Sequence, residues 1–188
     1  MNRRGDVGVT LIELAVVMAI IAIMAVFMAP AIGEWLENYR LRQAAREVSS
    51  DLQFAKMKAI STGRYCTVAF NITVDGTQYS YVVFPDYDND LVLDTADAGD
   101  LDGDGDQENE TTDIFKMVSI NNSYRHVAID TSKDGDGITF TNNRVAFDAK
   151  GFPRSGFGNG SVHLINSSNN KGRSVVVSRA GRIKIEEY

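Results

Sequence analysis

The feature that most constrains this 188-residue chain is an uncharged, apolar segment close to its N-terminus. The twenty residues from Leu14 to Gly33 carry no charge. As an α-helix rising about 1.5 Å per residue, they span about 30 Å, the thickness of the hydrocarbon core of a bilayer. Arg3 and Arg4 precede the segment and no cation follows it immediately, which places the N-terminus in the cytoplasm. We therefore expect one membrane-spanning helix, with the rest of the chain translocated.

The helical pattern continues beyond the uncharged segment. Apolar residues recur at helical spacing, while most charged and polar side chains fall on the other faces. These apolar positions are Leu41, Ala45, Val48, Leu52, Ala55 and Ala59. Thr62 and Gly63 then supply a stop signal. The sequence predicts one helix of about fifty residues, amphipathic in its second half and kinked at Pro30, where proline removes a backbone hydrogen bond.

After Gly63 the hydrophobic pattern changes to the alternation that is typical of β-strands. The predicted strands are Tyr65–Ile72, Gln78–Phe84, Ile114–Ile120, Tyr124–Ile129, Ile138–Thr141, Arg144–Phe147, Ser161–Ile165, Ser174–Ser178 and Arg182–Ile185. Asn142-Asn143 and Ala180-Gly181 are predicted to form tight hairpin turns. The amphipathic half-helix must cover its apolar stripe, so we expect an α+β fold with the long helix packed on antiparallel sheet. Cys66, the only cysteine, is predicted to be buried.

Glu13 places a charge near the start of the apolar run. Such a charge costs about 2.5–3.5 kcal/mol on membrane-insertion scales, so it usually has a partner. If the chain were cut after Gly8, the new amine at Val9 would lie one helical turn from Glu13. That amine, on this chain or on a neighbour, is a natural counter-ion. Alternatively, the Glu13 carboxylate reaches the membrane interface at the helix end, and the residues alone leave both explanations open.

Residues 8–14 read Gly-Val-Thr-Leu-Ile-Glu-Leu and resemble the type IV prepilin signature. In that signature a glycine precedes, usually, a phenylalanine and then Thr-Leu-Ile-Glu; here Val9 replaces the phenylalanine. Pro30 falls where the family often has a helix-kinking proline. The resemblance implies that a prepilin peptidase cuts between Gly8 and Val9 and methylates the Val9 amine. It also implies that Glu13 neutralises the amine of an adjacent subunit during filament assembly.

The C-terminal part is similar to minor pseudopilins of the GspH/FimT type. Residues 145–153 read Val-Ala-Phe-Asp-Ala-Lys-Gly-Phe-Pro, and after a glycine-rich stretch residues 173–183 read Arg-Ser-Val-Val-Val-Ser-Arg-Ala-Gly-Arg-Ile. In that group a phenylalanine-rich strand, a glycine turn and a final hairpin reading roughly Val-Val-Ser-x-x-Gly-Arg end the domain. The helical stretch 41–60 also looks like theirs.

The two resemblances together imply a pilin-like fold and a division of the chain. Residues 1–8 would be a leader peptide, residues 9–33 a transmembrane and polymerisation helix, and residues 34–188 a periplasmic β-rich pseudopilin domain with an acidic loop at 86–113. The implied function is a minor pilin-like structural subunit of a type II secretion pseudopilus or a type IV pilus. It would sit as a single-pass protein in the bacterial inner membrane, become filament-associated after assembly, and have other pilin or pseudopilin subunits as partners.

The acidic loop carries aspartates at calcium-loop spacing. Counted from Asp86, one run falls at positions 1, 3, 5, 9 and 12, as in EF-hand and dockerin loops, where alternate residues turn oxygens toward one centre. A second run has Gly105 at its position 6, whereas Leu91 occupies that position in the first. The aspartates are Asp86, Asp88, Asp90, Asp94, Asp97, Asp100, Asp102, Asp104 and Asp106. A solvated acidic face is the alternative, but so dense a charge repels itself, and we expect at least one bound calcium ion.

Other functions are disfavoured by composition. A sequence pI of about 4.9 and the lack of a basic stripe argue against nucleic-acid binding. The two histidines show no catalytic or zinc-binding pattern, so we do not expect an enzyme. One rival hypothesis is a singly membrane-anchored calcium-binding or adhesive domain that does not polymerise. Another is a secreted module whose signal peptide is cleaved near Ala31.

Overall fold

A computed structural model describes residues 9–93, 97–99, 108–109 and 113–188. For residues 26–32, 97–99 and 108–109 it describes the backbone only. The chain divides into two compact units, Met1–Leu36 and Glu37–Tyr188.

The described elements begin with one long helix, which passes through Pro30. In chain order they are α1 (Leu11–Thr62), β1 (Tyr65–Val74), β2 (Thr77–Asp86), β3 (Asp97–Gly99), β4 (Glu108–Asn109), β5 (Lys116–Val118), α2 (Ile120–Ser123), β6 (Val127–Ile129), a 3-10 turn (Thr141–Asn143), β7 (Arg144–Phe147), β8 (Gly160–Asn166), β9 (Lys171–Val177) and β10 (Ile183–Glu187).

The second unit contains two four-stranded sheets. The first sheet has the strand order β5-β2-β1-β7, and the second has the order β10-β9-β8-β6. β3 and β4 form a separate two-stranded ribbon inside the acidic segment. Every strand pairing among the described residues is antiparallel. The predicted α+β fold, with a helix packed on antiparallel sheet, is therefore confirmed for this unit.

The core lies where the amphipathic stripe of α1 meets both sheets. All six predicted stripe positions are at most 2% exposed, and Ala44 is buried beside them. They form one cluster with residues of the first sheet such as Phe70 and Phe147, and of the second sheet such as Leu164 and Val175. Cys66 belongs to this cluster, and burial raises the pKa of its thiol to about 12. The prediction of a buried cysteine is thus confirmed.

The other face of the first sheet has a smaller cluster of its own. It consists of Ala69, Val74, Val82 and Phe84. Leu93, which lies inside the acidic segment, and Ile114, which follows it directly, pack against these residues. These two apolar contacts hold the chain against the outer face of the first sheet on either side of residues 94–113.

The predicted strands Ile114–Ile120 and Tyr124–Ile129 are shorter than expected, since the structure has Lys116–Val118 and Val127–Ile129 with α2 between them. Two further local predictions were wrong. Ile138–Thr141 is not a strand, because only Ile138 makes a single bridge, to Val162. Asn142-Asn143 does not close a hairpin, since these residues lie in the 3-10 turn and the following strand β7 pairs with β1 instead.

The turn at Ala180-Gly181 is a hairpin turn, as predicted. The Gly181 N–H donates to the Ser178 carbonyl at 2.8 Å between β9 and β10. Gly181 has a φ of +70°, and a Cβ there would lie 2.8 Å from the Gly151 carbonyl oxygen. Both the backbone conformation and the close approach therefore require glycine.

Candidate functional site

The first candidate site is the start of α1. The helix begins at Leu11, and the Thr10 hydroxyl accepts a hydrogen bond from the Glu13 N–H at 3.3 Å. Thr10 and Glu13 stand at the N-cap and N3 positions of a capping-box sequence, Ser/Thr-x-x-Glu/Gln. A carboxylate in the first turn is also favoured by the helix dipole. The Ser/Thr-x-x-Glu/Gln spacing of residues 10–13 was a signal for this capping role, but the role was not predicted.

The apolar side chains of the described N-terminal helix are exposed. Val9 is 73% exposed and Leu11 is 86% exposed, and the other large apolar residues through Met24 are each at least 47% exposed. Among the described residues, no helix is long and apolar enough to cross a membrane. Gly8 lies outside the described residues, and the side chain of Pro30 is not described.

The second candidate site is the end of β2. The structure brings Asp86, Asp88 and Asp90 together, with one carboxylate oxygen of each lying within 4.8 Å of the others. Asp86 is the last residue of β2, and Asp88 and Asp90 follow in an exposed turn. The Asp90 N–H donates to Asp88 Oδ1 at 3.0 Å, which holds the turn in shape. Carboxylate oxygens arranged in this way are donors suited to a hard divalent cation.

Asp86 is unusual because it is only 1% exposed. The Thr67 hydroxyl donates to its Oδ2 at 3.0 Å, whereas Oδ1 is buried and has no hydrogen-bond partner among the described residues. Burial raises the pKa of the Asp86 carboxyl, and repulsion from Asp88 and Asp90 adds to the rise. The Thr67 hydroxyl and the Leu91 N–H act in the opposite direction.

Leu91 makes the turn for which a calcium loop usually uses glycine. Its φ is +70°, in the left-handed region, and its side chain is 2% exposed. Left-handed backbone is costly for a residue with a Cβ, so the burial of the leucine side chain helps to hold this conformation. The departure from glycine noted in the sequence therefore does not prevent the chain from turning here.

The side chains of the remaining predicted metal ligands lie outside the described part of the chain. Asp94, Asp100, Asp102, Asp104 and Asp106 lie outside the described residues. The backbone of Asp97 is in β3, and its side chain is not described.

Two polar clusters were not predicted from the sequence. Asp51 on α1 is 4% exposed and accepts hydrogen bonds from Tyr81 Oη at 2.7 Å and Lys116 Nζ at 2.6 Å. The other cluster places His163 Nδ1 at 2.7 Å from the Ser174 hydroxyl, with these two residues paired across β8 and β9.

The contact with His163 does not make Ser174 a nucleophile. Asp134 Oδ2 lies 3.2 Å from His163 Nε2, so the three residue types of a hydrolase are present. Ser174 is only 5% exposed, however, so its hydroxyl is not accessible to a substrate. The contacts satisfy polar groups between neighbouring strands.

A comparison with protein families identifies the chain. The family model described as "Type II transport protein GspH" matches residues 44–181, which cover most of the second unit. The chain belongs to this family. The match confirms the resemblance to pseudopilins of the GspH/FimT type that was inferred from the C-terminal motifs.

Two solved structures show a weaker likeness. Both are crystal structures of the type IV minor pilin FimU from Pseudomonas aeruginosa PAO1, each 17% identical to this chain. The match with the form in space group P21 covers 81% of this chain and 92% of the FimU chain, with a TM-score of 0.43. The match with the form in space group P65 covers 78% of this chain and 92% of the FimU chain, with a TM-score of 0.40. At these values the family assignment rests on the sequence match alone. No curated protein matches the chain.

Proposed function

We propose that this chain is a minor pilin-like structural subunit of a type II secretion pseudopilus or a type IV pilus. In this proposal the chain is held in the bacterial inner membrane by α1, with its N-terminus cytoplasmic and residues 34–188 in the periplasm. A prepilin peptidase cuts between Gly8 and Val9 and methylates the new amine. The subunit then joins a filament through α1 and acts by assembly rather than by catalysis.

The observation that carries the proposal is the uncovered apolar surface of residues 9–24, at the start of α1. Eleven large apolar side chains from Val9 to Met24 are 47–86% exposed within the chain. Such a contiguous apolar surface is not stable in water and marks a membrane or protein contact. Membership of the GspH family favours a contact with both, first the lipid and then the helices of neighbouring subunits.

Glu13 supplies the specificity of that contact. A carboxylate within an apolar helix bundle is unfavourable unless an opposite charge neutralises it. Cleavage after Gly8 would create a cation at Val9, four residues before Glu13. On one chain the capping box already places Glu13 in the first turn, and a neighbouring chain at the right axial offset would bring its own amine to that carboxylate. Pairing would then fix the axial stagger between subunits.

The experiment that tests the proposal is mass spectrometry of the mature N-terminus, on protein isolated from its native membrane. We expect a chain that begins at Val9 and carries one N-methyl group. An intact Met1 would contradict processing and support an anchored domain that does not polymerise. A chain that begins near Ala31 would contradict the proposal as well, because it would mean that a secretory signal had been removed.

A matched variant shows whether the peptidase reads Gly8. Gly8→Leu should leave the precursor uncut, because a bulky residue replaces the smallest one at the cleavage position. Gly5→Leu, a change of the same kind three residues earlier, should leave processing unchanged. Normal maturation of Gly8→Leu would overturn the peptidase assignment.

A further inference from the structure

We propose that Asp86, Asp88 and Asp90 form a calcium-binding site at the end of β2. The oxygens of these three residues lie within 4.8 Å of one another. Calcium binds protein oxygens at about 2.3–2.6 Å, so two oxygens on one ion can be up to about 5 Å apart. The separation of the carboxylates therefore allows all three to contact a single ion.

A second observation, separate from the spacing of the carboxylates, also indicates a bound cation: the carboxylate of Asp86 is buried. The residue is 1% exposed, and Oδ1 has no hydrogen-bond partner within the part of the chain that is described. A buried polar atom without a partner is unfavourable, and a buried charge without compensation is more so. A cation between Asp86, Asp88 and Asp90 would supply the missing interaction, whereas an ordinary solvated acidic face would leave no carboxylate buried.

The turn supports this geometry. Asp86, Asp88 and Asp90 occupy alternate positions, which is how calcium loops direct successive side chains to one centre. The turn is anchored from outside the acidic segment, because the Arg154 guanidinium donates to the Asn89 carbonyl. Three carboxylates leave room for backbone carbonyl and water oxygens, and calcium accepts the six to eight ligands that such a mixture provides. Magnesium requires a tighter octahedron at about 2.0–2.1 Å, so the site should prefer calcium.

The test uses the full chain, purified in detergent micelles and freed of metal with a chelator. Binding of calcium chloride is measured by titration calorimetry, and thermal unfolding is followed with calcium and with magnesium at equal ionic strength. At about a hundredfold excess over the dissociation constant, calcium should raise the melting temperature by about 5–10 °C. Magnesium should raise it by much less. Equal shifts for the two ions would overturn the proposal, because screening of a diffuse charge acts alike on both.

Substitutions then assign the site to residues. Asp88→Asn and Asp90→Asn each remove one negative charge while keeping the Oδ1 atom that accepts a turn hydrogen bond. Both residues are exposed, so the variants should fold. Each should lose the calcium-dependent shift of the melting temperature. The matched control is Asp75→Asn, an equal change of charge at an exposed position with a φ of +48°, which asparagine tolerates.

The control should keep the full calcium response. If Asp88→Asn and Asp90→Asn bind calcium as tightly as Asp75→Asn does, the site is not at the end of β2. If only Asp104→Asn abolishes the response, the ion belongs to the second acidic run, and the proposal is equally overturned. None of these outcomes bears on assembly of the subunit, because the measurements are made on the isolated chain.

Discussion

Two stretches of the same helix, residues 11–25 and 41–59, differ in how much of their apolar surface the chain itself covers. In the first stretch Ile20 and Ile21 are 53% and 55% exposed. In the second, Val48 and Leu52 are each 1% exposed. Helical structure is therefore not what distinguishes them. The second stretch is stabilised by the two sheets around it, whereas the apolar side chains of the first stretch are left exposed by the described residues.

The largest expected effect comes from removing a core contact of the second stretch. Leu52→Ala should lower the free energy of unfolding by about 2–5 kcal/mol, because it leaves a cavity in a close-packed core. Ile21→Ala is the matched control from the first stretch and should change it by about 0.5 kcal/mol or less. Denaturant unfolding of the full chain in micelles, followed by tyrosine fluorescence, measures both. Equal losses for the two variants would contradict the difference in packing between the two stretches.

A smaller effect is expected from the polar contact between the second stretch and the first sheet. Lys116→Met deprives the buried Asp51 carboxylate of its cation at 2.6 Å. Because the Lys116 side chain is itself 42% exposed, the loss should be about 1–3 kcal/mol, less than for a fully buried pair.

The matched control for this change is a surface ion pair. Lys184→Met breaks the contact with Glu186, in which both side chains are about half exposed. Surface pairs contribute about 0–1 kcal/mol, so this variant should lie near the wild type in the same unfolding assay. A Lys116→Met variant as stable as Lys184→Met would show that Asp51 is stabilised without its cation.

The smallest effect concerns the C-terminal residue. The Tyr188 hydroxyl donates to Asp130 Oδ2 at 2.8 Å. Burial alone would raise the pKa of Asp130, but hydrogen bonds from Ser132 and Tyr188 outweigh it and lower the pKa. The folded state thus favours the ionised carboxylate, and its contribution is present above the unfolded pKa of about 3.9 and lost as pH falls through the folded value.

Tyr188→Phe should therefore be less stable than the wild type by about 1 kcal/mol at pH 7. The difference should shrink once the pH falls below about 3.9, where Asp130 of the unfolded chain begins to take up a proton while the folded carboxylate is still ionised. Paired unfolding curves at pH 7 and pH 2.5 measure it. A difference that stays constant with pH would mean that the tyrosine acts through packing alone.

The same contrast explains what the sequence could predict. The stripe from Leu41 to Ala59 was correct because a buried helix face repeats every three to four residues. β1 and β7 were predicted to within two residues because both are rich in residues that favour strands, although their burial does not alternate and consecutive residues of each strand are buried. The ribbon of β3 and β4 was missed, since strands of three and two residues are too short to show a period.

Long-range contacts were beyond the sequence for a different reason. Asp51 and Lys116 are 65 residues apart in the chain, and only the packing of α1 on the first sheet brings them together. The spacing of Asp86, Asp88 and Asp90 was visible, but the burial of Asp86 and its hydrogen bond from Thr67 were not, because both depend on how the strands pack. Local patterns therefore predicted the elements and the candidate ligands, and tertiary packing decided which side chains are buried.

In the proposed function, the first stretch of α1 is a polymerisation surface whose register depends on the charge of Glu13. Glu13→Gln tests it most directly, because glutamine can still serve at N3 of a capping box but cannot neutralise an amine. The matched control is Glu34→Gln, the same change on the same helix beyond the uncharged segment.

The measurement is the ratio of subunit in sheared, purified filaments to subunit in the membrane fraction, in cells that express the other pilin-like subunits. Both variants should insert and be processed. Glu13→Gln should fall more than about tenfold in the filament ratio, because an unpaired buried cation costs about 3–5 kcal/mol, while Glu34→Gln should match the wild type. Equal incorporation of the two variants would contradict the account.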